Sequence, residues 1–289
     1  MALLAYIVFI FILVGIGPLF STSGVTVYLS FAIPLAGMAA ILFQKRFHHG
    51  KFTDMGFRLN RNALIGLGIG LLFTVAAIFV LVGLPYWLGL AQFSLNPASA
   101  GKGAEMSPFV TVILTLVIGG ASLFAACLFG EELAFRGYIL PKLEERYGSL
   151  PAIVLCSVIF ALWHLPAYFS IYAGGAGASG WGSVGLMLVA HGISAVPISI
   201  LYLTTRELYG VSLYHALLDV FQYSIIRSPE LGAASKDAVY NMTTSHETVL
   251  TVMGWGWHII AIFFMIGLCK IGKKWTLPMG IESGTEVKA

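Results

Sequence analysis

The sequence predicts an all-α polytopic membrane protein with about eight transmembrane helices, and three observations lead there. Of 289 residues, 58% belong to the hydrophobic set and only 10% are charged, whereas soluble domains carry about 25% charged residues. That apolar set, about 168 residues, is material for roughly eight spans of about 20 residues each. Lys and Arg also divide unevenly between alternate connections, as topology rules require. The mean hydropathy of +0.89 agrees with this class.

The eight apolar stretches fall near 2–20, 24–43, 63–92, 109–130, 151–172, 183–203, 212–227 and 248–271. No Lys or Arg precedes Lys45, so the first stretch lacks the basic start of a cleavable signal peptide and reads as a retained span. The third is long enough to cross with tilt or to bend at Pro85. The seventh is short, and it is drawn as a span because its neighbours require it. Polar connections lie between these stretches, at 44–62, 92–108, 141–149, 173–182, 204–211 and 227–247. The Gly-rich run 173–177 reads as a flexible loop, since no Lys-Ser/Thr follows to make a phosphate cradle. No linker splits the chain, which is expected to form one integral-membrane domain, 1–289, with a cytoplasmic tail at 272–289.

With the N-terminus inside, the inside segments hold Lys45, Arg46, Lys51, Arg58, Arg61, Lys142, Arg146, Arg206, Lys270, Lys273, Lys274 and Lys288. The outside segments hold Lys102, Arg227 and Lys236. Arg136 is set aside as lying within the membrane. This bias predicts an even number of spans and both termini in the cytoplasm. Cys127, Cys156 and Cys269 each sit in an apolar run without a C-x-x-C pair, and they read as small core residues. The net charge of +3 gives no basic field for nucleic acid, so none is expected as a partner, whereas membrane lipid is.

Ionisable groups within apolar stretches carry the chemistry. A charge deep in a bilayer costs about 2.5–3.5 kcal/mol on insertion scales, so such a group needs a partner or water. The fourth stretch ends in Glu131-Glu132-Leu133-Ala134-Phe135-Arg136. Glu132 and Arg136 are four apart with the acid first, the favourable order for an intrahelical ion pair. Glu131 points about 100° away and is the carboxylate left for chemistry. The bland alternative ends the span at Gly130 and leaves all three charges at the interface. In the fifth stretch His164 stands in an apolar helix two residues before Pro166. Its ring titrates near neutrality, as acid–base work requires. In the seventh, His215 and Asp219 share a helix face, where the acid can fix the ring's tautomer. His191 lacks a carboxylate at helical spacing and reads as structural. His48, His49, His246 and His258 carry no signal. The sequence has neither H-E-x-x-H nor G-x-S-x-G.

Glu131-Glu132-x-x-x-Arg136, Phe160-x-x-x-His164 and His215-x-x-x-Asp219 together resemble the signature of the CPBP (Abi) family of intramembrane proteases, which includes the type II CAAX prenyl endopeptidases. The resemblance implies a family core at about 109–227, a polar cavity open to the cytoplasm and a glutamate-dependent endopeptidase acting on a membrane-associated or prenylated CAAX-like peptide. By the same carry-over, Glu131 and His164 activate water, and His215 and Asp219 lie on the oxyanion side. Glu132, Arg136 and Phe160 support them. Asp219 departs from the Asn of the prenyl endopeptidases, and an ionised Asp would repel an oxyanion. Glu131, His164 and His215 are also adequate zinc ligands, so the cofactor question stays open between none and zinc. Two other classes compete: a non-catalytic bacteriocin-immunity or scaffold membrane protein, and a proton-coupled transporter using Glu131, His164 and Asp219 as a relay. The intact motifs favour the enzyme over the first, and the lack of matched broken spans weighs against the second. Short loops point to a prokaryotic cell membrane.

Overall fold

A computed structural model describes residues 1–20, 31–96, 107–168, 181–227 and 238–273. The Gly-rich run 173–177, Lys102, Lys236 and nearly all of the tail at 272–289 lie outside the described residues. Helices dominate: α1 (Ala2–Phe20), α2 (Ile33–Phe47), α3 (Arg61–Trp87), α4 (Pro108–Tyr147), α5 (Ser149–Tyr168), α6 (Trp181–Thr205), α7 (Leu208–Val220) and α8 (Glu247–Lys273).

Local chemistry sets several boundaries. Asn60 caps α3 by accepting from the N–H groups of Asn62 and Ala63, the usual relief for donors orphaned at a helix start. Ser107 does the same for α4, with Pro108 in the first turn. Lys45 and Arg46 occupy the last turn of α2, where positive charge complements the helix dipole. Gly148, at φ 80°, makes the sharp corner between α4 and α5. At the α6–α7 corner Arg206 takes φ 58°, and its guanidinium is held in a two-pronged pair with Glu144 at 2.6 and 2.9 Å.

The exterior is apolar and the interior carries charge. Leu64, Leu71, Val75 and Phe79 on α3 and Val252, Ile259, Ile260 and Phe263 on α8 are exposed, while Glu131, Glu132, Arg136, His164 and His215 are buried. A lipid-facing shell around satisfied polar groups is what a bilayer demands. Among the described residues, five helices are long and apolar enough to cross a membrane: Arg61–Trp87, Pro108–Tyr147, Ser149–Tyr168, Trp181–Thr205 and Glu247–Gly272. The chain is an integral membrane protein. The expected count of about eight spans is not confirmed. α2 is described over Ile33–Phe47, and α7 continues through a π turn to Ile225; neither is among those five helices. α7 turns much of its hydrophobicity toward other helices: Leu208, Val211, Tyr214 and Ala216 are all buried.

Two further expectations are corrected. The segment 141–149, read as a connection, continues α4 as helix to Tyr147. The helix therefore does not end at Gly130. The connections at 92–108 and 227–247 contain a small sheet, with β1 (Gln92–Leu95) antiparallel to β3 (Tyr240–Thr243) and β2 (Ile226–Arg227) parallel to it on the other side. An apolar cluster of Ala91, Val220, Ile225, Met242 and Leu250 seats this sheet against the ends of α7 and α8.

Glycine contacts bring the helices around α4 and α7 into register. A Cβ on Gly70 would collide with the carbonyl of Gly210, and one on Gly37 with the carbonyl of Phe129. α7 thus crosses α3, and α2 crosses α4 beside Glu131, at backbone contact distance, the close approach that small residues permit between membrane helices.

Candidate active site

The backbone of α4 changes winding where its charges lie. Cys127–Glu131 and Leu133–Ile139 form π-helical turns, with the Glu132 N–H donating to the Cys127 carbonyl five residues back. Such insertions re-aim side chains and concentrate at functional sites. Here they keep Glu131, Glu132 and Arg136 all directed inward and buried.

Glu132 pairs with Arg136, Nη1 to Oε1 at 3.2 Å, and both side chains are fully buried. The same Oε1 also accepts from His215 Nδ1 on α7 at 2.7 Å. Its role is thus wider than the intrahelical pair expected from spacing, since it ties two helices together. Arg136 in turn donates to the Ala195 carbonyl on α6 at 3.4 Å and lies 4.2 Å above the Phe160 ring on α5. One guanidinium joins three helices, using a cation–π contact worth about 2 kcal/mol when desolvated. Among the described residues, Glu132 Oε2, Arg136 Nε, Ser157 Oγ and Ser212 Oγ are buried without a hydrogen-bond partner. The polar core therefore has unused donors and acceptors beside it.

His164 is the C-terminal cap of the Ser149–Trp163 helix and not a residue in mid-helix as the sequence suggested. The short helical turn Leu165–Tyr168 follows it. Its Nδ1 lies 2.8 Å from the Phe160 carbonyl. A carbonyl only accepts, so Nδ1 carries a proton and donates, which leaves Nε2 turned to the cavity. That Nε2 faces Glu131 Oε1 at 3.6 Å. From the opposite wall, His215 Nε2 faces Glu131 Oε2 at 3.7 Å and Asp219 Oδ2 at 3.6 Å. These separations exceed a direct hydrogen bond of about 2.7–3.2 Å and suit bridging by water. Glu131, His164, His215 and Asp219 thus converge. The Asp219 side chain, 29% exposed, lies at the open rim of the group.

His164 near the end of its helix and His215 in the middle of α7 both reach Glu131. Sequence spacing missed three neighbours. The His191 ring packs against that of His164 with centroids 4.0 Å apart, and it shares a hydrogen bond with the Tyr168 hydroxyl. Cys127 Sγ lies within 4.8 Å of a ring nitrogen of His215. All three meet their partners across helices, so helical periodicity carries no sign of them.

Residues 107–221 match a family model described as type II CAAX prenyl endopeptidase Rce1-like. This segment is thus similar to the Rce1-like family. It contains every residue of the constellation, from Cys127 through Asp219. A curated relative, "CAAX prenyl protease 2" of Methanococcus maripaludis, is 30% identical over 95 residues, 33% of this chain. The match spans about a third of the length of that relative, 31%. No solved structure matches the chain. The Rce1-like segment begins at the cap of α4 and ends just past α7, so it encloses the walls of the site without the outer helices α1–α3 and α8.

Proposed function

We propose that the chain is an intramembrane endopeptidase that hydrolyses a membrane-associated, prenylated CAAX-like peptide. A single observation carries this reading: the two oxygens of buried Glu131 each face the Nε2 of a histidine from a different helix, at 3.6 and 3.7 Å. In the proposed reaction, water sits between Glu131 and His164. Glu131 takes its proton as the new C–O bond forms at the scissile carbonyl, and the carboxyl then returns that proton to the leaving amine. His215 acts as the imidazolium: with Nδ1–H anchored on Glu132, its Nε2–H donates to the carbonyl oxygen from the other wall. Asp219 steadies His215 at the rim. Glu132, Arg136 and Phe160 position the acid–base groups without touching substrate.

The excess of Lys and Arg on one set of connections supports placing both termini in the cytoplasm, with the site reached from that side of a prokaryotic membrane. The Rce1-like segment and the printed name of its relative support the substrate class.

The test is cleavage of a prenylated CAAX peptide by the purified chain in detergent, comparing the parent with Glu131→Ala and His164→Ala. Both variants are expected to remain monodisperse and helical while losing about 10²- to 10⁴-fold in rate, the worth of a positioned acid–base group. Parental rates in either variant would overturn the assignment.

A further inference from the structure

We propose that Cys127, His215 and Asp219 form a zinc site that, when filled, withdraws His215 from the reaction. The three come from adjacent elements, the π turn of α4 and the face of α7, and their ligating atoms all lie within 4.8 Å of one another. A thiolate, an imidazole and a carboxylate form a donor set suited to zinc, which takes sulfur at about 2.3 Å and nitrogen or oxygen at about 2.0–2.2 Å. Donors at the corners of a tetrahedron with those bond lengths stand about 3.3–3.8 Å apart. His215 Nε2 and Asp219 Oδ2 are already 3.6 Å apart. The thiol needs to close by about 1 Å at most, within the reach of a side-chain rotation.

The surroundings complete the arrangement. His215 presents Nε2 to the cluster because Nδ1 is held by the Glu132 carboxylate at 2.7 Å. A carboxylate behind a ligating histidine fixes the tautomer and raises the basicity of the metal-facing nitrogen. Asp219, 29% exposed, gives the ion a way in, while Cys127 and His215 are buried. Glu131 Oε2 is 3.7 Å from His215 Nε2, so it borders the fourth position of the ion. Binding replaces the thiol proton of Cys127 with the metal and releases that proton to solvent. The ion also occupies the His215 nitrogen that would face the substrate carbonyl. That inhibitory consequence rests on the peptidase reading, whereas the ion site does not.

The test uses the full chain in detergent with cobalt and zinc chloride as probes. Cobalt is expected to bind with a thiolate-to-metal charge-transfer absorption, and zinc to displace it. Cys127→Ser should abolish the absorption. Asp219→Asn, at a partly exposed position that folding tolerates, should keep the absorption but weaken affinity at least about tenfold, no less than loss of an outer partner costs. A folded parent whose bound cobalt shows no sulfur absorption, or equal affinity in Asp219→Asn, would overturn the site. For the consequence, the ratio of cleavage with and without zinc is compared within each protein. Zinc should suppress the parent more than Cys127→Ser, and loss of cleavage on chelation would overturn inhibition. A normal cobalt spectrum in a chain that cleaves nothing would count against the peptidase reading alone.

Discussion

Two walls of the candidate site present the same group, a histidine Nε2, to the same carboxylate at nearly the same distance, yet they are built differently. On α5, His164 is held locally, its Nδ1 on the carbonyl of Phe160 four residues back. On α7, His215 is held from afar, its Nδ1 on the carboxylate of Glu132, 83 residues away in sequence and paired in turn with Arg136. A neutral carbonyl fixes a tautomer and nothing more. A buried carboxylate also makes the opposite nitrogen more basic, and a charge-assisted bond is about twice as strong as a neutral one. In the proposed reaction, this contrast fits water handling on the α5 wall and charge stabilisation on the α7 wall.

The sharpest way to break this asymmetry is Arg136→Leu. Glu132 would be left buried without its cation, at a cost of about 3–5 kcal/mol. Thermal unfolding in detergent should show a large fall in midpoint, accompanied by loss of cleavage. An unchanged midpoint would mean that the α7 wall does not depend on the ion pair. A gentler probe is Glu132→Gln, which keeps an acceptor for His215 Nδ1 but removes its charge. Loss of a charge-assisted bond worth about 1.5–3 kcal/mol should lower kcat by roughly 10- to 150-fold with little change in KM. A rise in KM alone would place Glu132 in substrate binding.

The smallest effect concerns the root of α7. Glu207 precedes the helix, is buried, accepts from the Arg58 N–H at 3.0 Å, and has its pKa raised to about 7 by loss of hydration. Because the folded value lies above the ordinary 4.5, its contribution favours folding below pH 4.5 and is progressively lost as pH rises through about 7. The melting midpoint of the parent should therefore decline across that window. Glu207→Gln, which still accepts from Arg58, should flatten the slope. An identical slope in both proteins would remove Glu207 as its source.

What the sequence conveyed about the site follows from where each partner lies. Glu132 with Arg136 and His215 with Asp219 are four residues apart on single helices, and both pairs form as spacing requires. The bond from His215 to Glu132, the ring contact of His191 with His164, and the place of Cys127 beside His215 are interhelical, and no local pattern encodes them. The fold shows the same division. Long apolar helices such as Arg61–Trp87 and Glu247–Gly272 were legible from hydropathy. The extent of α4 was not, because its charged middle looks like an interface until Arg136 and His215 are seen to neutralise it. The place of α7 was less legible, because its apolar residues serve contacts with α3 and α4.

The central claim is that His164 and His215 serve one chemical event at Glu131 from opposite sides. A double-mutant cycle on cleavage rate tests it most directly, with His164→Ala, His215→Ala and the combined variant measured beside the parent. Groups that act as a unit are strongly non-additive, so the combined variant should be no slower than the worse single variant. A combined loss equal to the product of the two single losses, or a parental rate in either single variant, would contradict the account.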